Sequence, residues 1–175
     1  MARQVKVITA AEAAALIKNG DTVTTSGFVA SAIPEALDRA VEERFLATGE
    51  PRDITYVYCG SQGNKDGRGA EHFAHEGLLK RYIAGHWATV PALQKMALEN
   101  KMEAYNVSQG ALCHLFRDIA AHRPGCFTKV GLGTFIDPRN GGGKVNDVTK
   151  EDIIELVNIK GQDYLFYPAF PINVV

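Results

Sequence analysis

Cysteine is scarce in this chain: Cys59, Cys113 and Cys126 are the three in 175 residues, odd in number and far apart. That spacing excludes a disulfide framework, and no Cys-x-x-Cys is present to suggest a metal or redox ribbon. The three are read as small buried apolar residues in a reducing compartment. An excess of one charge is also missing, because 19 Lys and Arg balance 20 Asp and Glu and the cations are scattered singly. Without a basic stripe, nucleic acid is not an expected partner. Long hydrophobic runs are absent too, and Met1-Ala2-Arg3-Gln4-Val5-Lys6-Val7 leads quickly into helix signals. Neither a signal peptide nor a membrane span is expected, and the expected setting is the cytoplasm. The length suits one domain, or part of a larger one, able to bury roughly 70% of its unfolded surface.

What is present is a rhythm of strands and helices. Thr9-Ala10-Ala11-Glu12 has the form of a capping box, in which hydroxyl and carboxylate satisfy reciprocal N–H groups, and Gly20 is read as the stop of that helix. Thr22-Val23-Thr24-Thr25 predicts a strand, Ser26-Gly27-Phe28 a turn, and Pro34 the first position of a helix ending at Gly49. Leu37, Ala40, Val41 and Phe45 share one face of that helix. The pattern continues with a strand at 54–58, a polar loop at 60–69, a helix at 70–80 and a strand at 82–84. A helix at 91–99, a strand at 102–105, a helix at 109–121 and a strand at 128–131 follow. Alternation of this kind predicts an α/β fold with an open, mainly parallel sheet flanked by helices, and ligands at the carboxyl ends of its strands. The loops 26–28, 60–69 and 131–143 all follow predicted strands. Tyr164–Tyr167 and Ile172–Val175 read as two further strands, and the apolar finish at Val175 is read as the interruption of a longer polypeptide.

Two stretches carry the chemistry. Ser108-Gln109-Gly110 places a neutral carboxamide at a helix start, where unpaired N–H groups already favour an anion. Gly131-Leu132-Gly133-Thr134-Phe135-Ile136-Asp137-Pro138-Arg139 is a glycine turn that lets backbone approach a ligand closely. The pair suits a small carboxylate or a developing oxyanion. Nucleotide readings fail: Ile136 and Asp137-Pro138 break a dinucleotide fingerprint from Gly131, and Gly143-Lys144-Val145 lacks the hydroxyl residue of a P-loop. His72 and His75 have metal-ligand spacing on a helix but no third ligand near in sequence, so no metal is expected. His86-Trp87 reads as a packed aromatic pair. Cys113 and His114 diverge by about 100° on one helix and cannot act as a nucleophile and its base.

On these residues the chain resembles the family I coenzyme A transferases, and within them the amino-terminal part of the propionate-type branch. The resemblance runs through Gly20–Phe28, Ile33-Pro34-Glu35-Ala36-Leu37, Ser108-Gln109-Gly110 and Gly131–Arg139. The broader signature carries glycines where this chain has Ser26 and Ala32. The resemblance implies exchange of CoA between short-chain acyl-CoA (acetyl-, propionyl-, lactoyl-CoA) and carboxylates through a glutamyl-CoA thioester. CoA is then a substrate, and no permanently bound cofactor is implied. Carried over by position, Gln109 would contact the carboxylate or oxyanion. Ser26, Gly27, Phe28, Gly131 and Gly133 would shape the acyl pocket. The nucleophilic glutamate is expected beyond Val175, in a carboxy-terminal half that repeats a related domain, so residues 1–175 would be the amino-terminal part of the first domain. Isolated, this segment is expected to be inactive, and the whole protein to be a homo-oligomer. The alternative is a non-catalytic α/β domain that binds small carboxylates.

Overall fold

The computed structural model describes residues 5–175, so the reading of Met1–Gln4 lies outside the described residues. Thr9 and Glu12 form the reciprocal capping box expected of them, and α1 spans Ala10–Ala14. It stops well before Gly20 because Arg44 takes over its last carbonyls, reaching the Ala14 and Ile17 oxygens at 2.7 and 2.8 Å. Strand β1 is Thr22–Val23, and α2 runs from Glu35 to Thr48, ending on Gly49 in the left-handed conformation. Strand β2 is Ile54–Tyr58.

The helix expected at 70–80 is instead one 3-10 turn, Ala70–Phe73, and strand β3 begins at Leu79. Gly77, at φ +90°, breaks the segment, and the run Leu79–Ala84 is drawn into the middle of the sheet. Helix α3 (Pro91–Leu98), β4 (Glu103–Asn106) and α4 (Gln109–Ala120) lie within one or two residues of expectation.

Strands β1-β2-β3-β4 form a parallel sheet in that order, as an α/β fold requires. Both faces are covered. Ile54, Tyr56, Tyr82 and Ala104 point to a core shared with α1, α2 and α3, while Val57, Ile83 and Tyr105 point to a second core with Leu112 and Leu115 of α4.

The last third adds a second, antiparallel sheet beside the parallel one. Strand β5 is Gly125–Thr128, three residues earlier than predicted. It pairs antiparallel with β7 (Gln162–Pro168), which pairs antiparallel with β6 (Glu155–Ile159). A two-residue turn at Lys160-Gly161 joins β6 to β7, and so short a connection can only form an antiparallel hairpin. This small sheet lies behind α4, with Leu165 and Tyr167 in the second core. Ile172–Val175 contributes a single parallel bridge, Val174 to Val23, in place of a strand.

Candidate functional site

The carboxyl ends of the parallel strands meet at the start of α4. Ser108 caps the helix, its hydroxyl accepting the Ala111 N–H at 3.4 Å, and Gln109 follows it exposed to solvent. Two glycines let the surrounding backbone close in. A β-carbon on Gly85 would stand 2.3 Å from the Cys59 carbonyl oxygen and 2.7 Å from Gln109 Cβ, closer than atoms can approach. A β-carbon on Gly60 would stand 3.4 Å from the Gln109 carboxamide and 3.4 Å from the Phe28 ring. Gln109 and the Ser26-Gly27-Phe28 turn, proposed from sequence with Phe28 and Gln109 81 positions apart, are therefore neighbours across Gly60. Gly60 opens the loop 60–69 read from the sequence, whereas Gly85 carries no local signal.

The turn is tightly made. Gly27 sits at φ +110°, where a β-carbon would strike the Ala32 carbonyl at 2.8 Å, so only glycine fits. Phe28 and Ser31 exchange backbone hydrogen bonds at 2.9 Å, and Ala32 adopts φ +54°, in the left-handed region that favours glycine. The Phe28 ring is 57% exposed, an apolar surface beside the carboxamide.

Below the turn lies Gln62, which the sequence reading missed. It belongs to a second Ser-Gln-Gly, Ser61-Gln62-Gly63, the same tripeptide as 108–110. That repetition was the available signal. Here the glutamine is fully buried, donating to the Ser26 carbonyl and accepting at 2.7 Å from both Tyr56 and Thr25 hydroxyls.

The loop 131–143 is divided. Its far end reaches the site's neighbourhood, where Asn106 donates to the Gly143 carbonyl at 2.8 Å and Tyr105 bridges Lys144. Gly131 packs instead toward Leu165 and Ile136, and Gly133, at φ +74°, faces open space. The buried Asp137 organises this end. Its carboxylate accepts the Gly133 N–H at 2.9 Å, the Arg139 N–H at 3.0 Å and the Arg139 guanidinium at 2.7 Å. Those bonds, the guanidinium first, hold Asp137 well below the usual carboxylate range. Because β5 is antiparallel, this loop does not leave the carboxyl edge of the parallel sheet as expected.

The histidines behave differently from the sequence reading. His72 and His75 do not share a helix, and both are bound by carboxylates of α2. His72 lies between Glu35 (3.0 Å) and Glu42 (2.6 Å), and His75 meets Glu42 at 2.6 Å. Burial pushes His72 down, but the hydrogen bonds to Glu35 and Glu42 outweigh it and hold the ring above its ordinary value. Burial likewise pushes Glu42 up, and its bonds to His75 and His72 bring it below its ordinary value. Asp38, on the same face of α2, is pushed up to about 7, first by burial. Among the described residues no group of three or more His, Cys, Asp or Glu is arranged to hold a metal ion. Trp87 packs edge-on to Tyr82 at 4.7 Å and donates to the Tyr105 carbonyl, while His86 is exposed.

The cysteines also need correction. Cys126 is buried, Cys59 is half-buried, and Cys113 is exposed because Leu112 and Leu115 take the inward face of α4. Burial first, then the nearby Cys113, pushes the Cys59 thiol up to about 12, which leaves it a poor nucleophile. A cavity of about 340 Å³ is lined by Arg81, Leu112, Leu115, Tyr167 and Phe170, and by none of Ser26, Phe28, Gly60 or Gln109. Its one cation is neutralised by Glu103 and Glu151, so it offers packing space and little recognition chemistry. Among the described residues no helix is long and apolar enough to cross a membrane.

The chain is 41% identical over 169 residues to a caffeate CoA-transferase of Acetobacterium woodii, covering 97% of this chain and 32% of that protein. It is 39% identical to the acetate CoA-transferase YdiF of Escherichia coli K12, covering 95% of this chain and 32% of that one. The acyl-CoA transferase YdiF of Escherichia coli O157:H7, solved as a thioester complex with CoA, superposes with a TM-score of 0.87 at 37% identity, over 93% of this chain and 32% of that one. Glutaconate coenzyme A-transferase from Acidaminococcus fermentans shares the fold at a TM-score of 0.68 and 18% identity. The chain thus spans about a third of the length of the curated relatives it matches. The coenzyme A transferase family model matches residues 7–174. With that match over nearly its whole length, the chain belongs to the coenzyme A transferase family.

Proposed function

We propose that this chain is the amino-terminal part of the first domain of a longer CoA-transferase that exchanges CoA between short-chain acyl-CoA and carboxylates such as acetate, propionate and lactate. The observation that carries the reading is the meeting of the Gln109 carboxamide with the Phe28 ring across Gly60, at the start of a helix. A carboxamide N–H beside unpaired helix N–H groups can hold a carboxylate, or the oxyanion formed when an acyl carbonyl is attacked. The exposed ring offers an apolar wall to a short alkyl chain. Ser26 and Gly27 place that wall; Gly131, packed toward Leu165 and Ile136, and Gly133, facing open space, take no part in it.

The chemistry requires a carboxylate nucleophile, assigned to a glutamate beyond Val175. Its oxygen attacks the thioester carbonyl and CoA leaves as a thiolate. That thiolate adds to the glutamyl carbonyl and expels the first carboxylate, leaving a glutamyl-CoA thioester. An incoming carboxylate reverses the sequence, and no thioester energy is lost to water. A cytoplasmic homo-oligomer is the setting that fits this reading.

The test uses the full-length protein. Gln109→Ala should lower turnover about 10²-fold or more, the scale of one lost oxyanion donor, with the melting temperature near wild type. Borohydride trapping during turnover should label a glutamate outside residues 1–175, and residues 1–175 alone should make no propionyl-CoA from acetyl-CoA and propionate. Normal turnover by Gln109→Ala, or a CoA adduct within this segment, overturns the reading. Inability of the full-length protein to exchange CoA would leave the non-catalytic carboxylate-binding alternative.

A further inference from the structure

The carboxamide of Gln62 is enclosed, and its oxygen and nitrogen are both engaged. The Ser26 carbonyl has no proton to give, so Nε2 must face it as donor, and Oε1 must then face the hydroxyls. Those hydroxyls, on Tyr56 and Thr25, are 2.6 Å from each other and 2.7 Å from Oε1. Two protons therefore serve three close oxygen–oxygen contacts, and a flipped amide would set two acceptors against each other at Ser26. The chain on either side is pinned as well: Val29 donates to the Ser61 carbonyl at 3.0 Å, and Gly63 donates to the Val29 carbonyl at 2.9 Å.

We propose that Gln62 is a positioning residue for acyl transfer: by holding the Ser26 carbonyl it sets the Ser26-Gly27-Phe28 turn against Gly60 and Gln109, and so fixes the width of the acyl pocket. This rests on the reading of the Gln109–Phe28 cleft as the acyl site. Gln62 itself touches no substrate, being fully buried beneath the turn. Its effect passes through one carbonyl to the ring two residues on. A misplacement of about 1 Å at a reacting site can cost about 10²-fold in rate, so one hydrogen bond at this point has leverage on turnover.

Glutamate is the decisive replacement, because it keeps the shape of glutamine. Protonated, its carboxyl can donate to Ser26; ionised, it sets an oxygen anion against that carbonyl. Burial raises such a carboxyl into the accessible pH range. The groups facing it are Tyr56 of β2, held well above its ordinary value first by burial and then by Asp38, and the neutral Thr25 hydroxyl. Asp38 of α2, at about 7, reaches the cluster through Tyr56, and Tyr82 of β3 stacks on the Tyr56 ring at 5.8 Å. Their own titration is divided out by taking each activity relative to wild type at the same pH.

The experiment measures kcat and KM for propionyl-CoA and acetate with full-length wild type, Gln62→Glu, Gln62→Leu and Gln109→Ala, with melting temperatures, from about pH 5.5 to 8.5. Relative kcat/KM of Gln62→Glu should be near wild type at the acid end and fall at least about tenfold toward the alkaline end, while Gln62→Leu is impaired throughout. A pH-independent loss in Gln62→Glu, its failure to fold at the acid end, or wild-type behaviour at every pH overturns the assignment. If Gln109→Ala is impaired and Gln62→Glu is not, only this inference falls. If Gln109→Ala is unimpaired, the acyl-site reading falls first.

Discussion

Gly85 lies directly against Gln109: any β-carbon there would come within 2.7 Å of Gln109 Cβ and 2.3 Å of the Cys59 carbonyl. Both obstacles include backbone, which cannot swing aside as the end of a long side chain can. The start of α4 is therefore seated where it is because position 85 has no side chain.

Gly85→Ala should accordingly displace the first turn of α4. Overpacking of this kind costs about 1–3 kcal/mol, or roughly 2–12 °C in melting temperature for a domain of this size. Activity of the full-length protein should fall by more than that stability loss explains, since Gln109 moves with the helix. Unchanged melting and unchanged turnover would show that the close approach is not needed.

Asp137→Asn should loosen the turn at Gly133 by losing an acceptor shared with Arg139. The Asp137 carboxyl is depressed in the folded state, so its stabilisation is complete above the ordinary value of 3.8 and is lost as pH falls through the folded value. Wild type should then melt a few degrees above the variant at neutral pH, with the gap closing as the medium is made strongly acidic. A gap that persists in strong acid would assign the effect to shape and not to charge.

Glu42→Gln removes the carboxylate shared by His72 and His75. His72 is raised in the folded protein, so its contribution is full below its ordinary 6.5 and fades as pH rises through the folded value. Glu42 is lowered, so its contribution holds above its ordinary 4.5 and fades as pH falls through the folded value. The variant should lose about 1–3 kcal/mol between those two values and much less at about pH 9, as thermal melts across pH would record. An equal loss at alkaline pH would mean the imidazolium is not involved.

Much of this protein is legible in its sequence because the signals are local. The Thr9–Glu12 box, the Gly49 stop, strand Ile54–Tyr58 and the apolar stripe Leu112, Leu115 on α4 depend on residues a few positions apart, and each formed as read. The segment 70–80 departs from a helix because Gly77, in the left-handed region, interrupts it after the single turn Ala70–Phe73, and Leu79 and Lys80 join strand β3. Strand Glu155–Ile159 and the antiparallel pairing of β5, β6 and β7 escape the sequence because pairing is not a local property, and the two-residue turn before β7 outweighs the α/β rhythm.

The two Ser-Gln-Gly tripeptides mark where local reading ends. Composition and motif alone determined that a carboxamide beside glycine follows a strand in each case, and that the chain carries the family's signatures. That Gln109 opens a helix is likewise legible locally; only the tertiary structure decided that its side chain faces solvent, while Gln62 pairs alongside Val29 and is sealed beneath the Ser26 turn. The physical reason is that burial depends on what the distant chain lays over a residue. Thr25, Ser26 and Tyr56 enclose the Gln62 carboxamide and supply its partners, whereas Gly60 and Gly85 hold Gln109 at an edge left open to water.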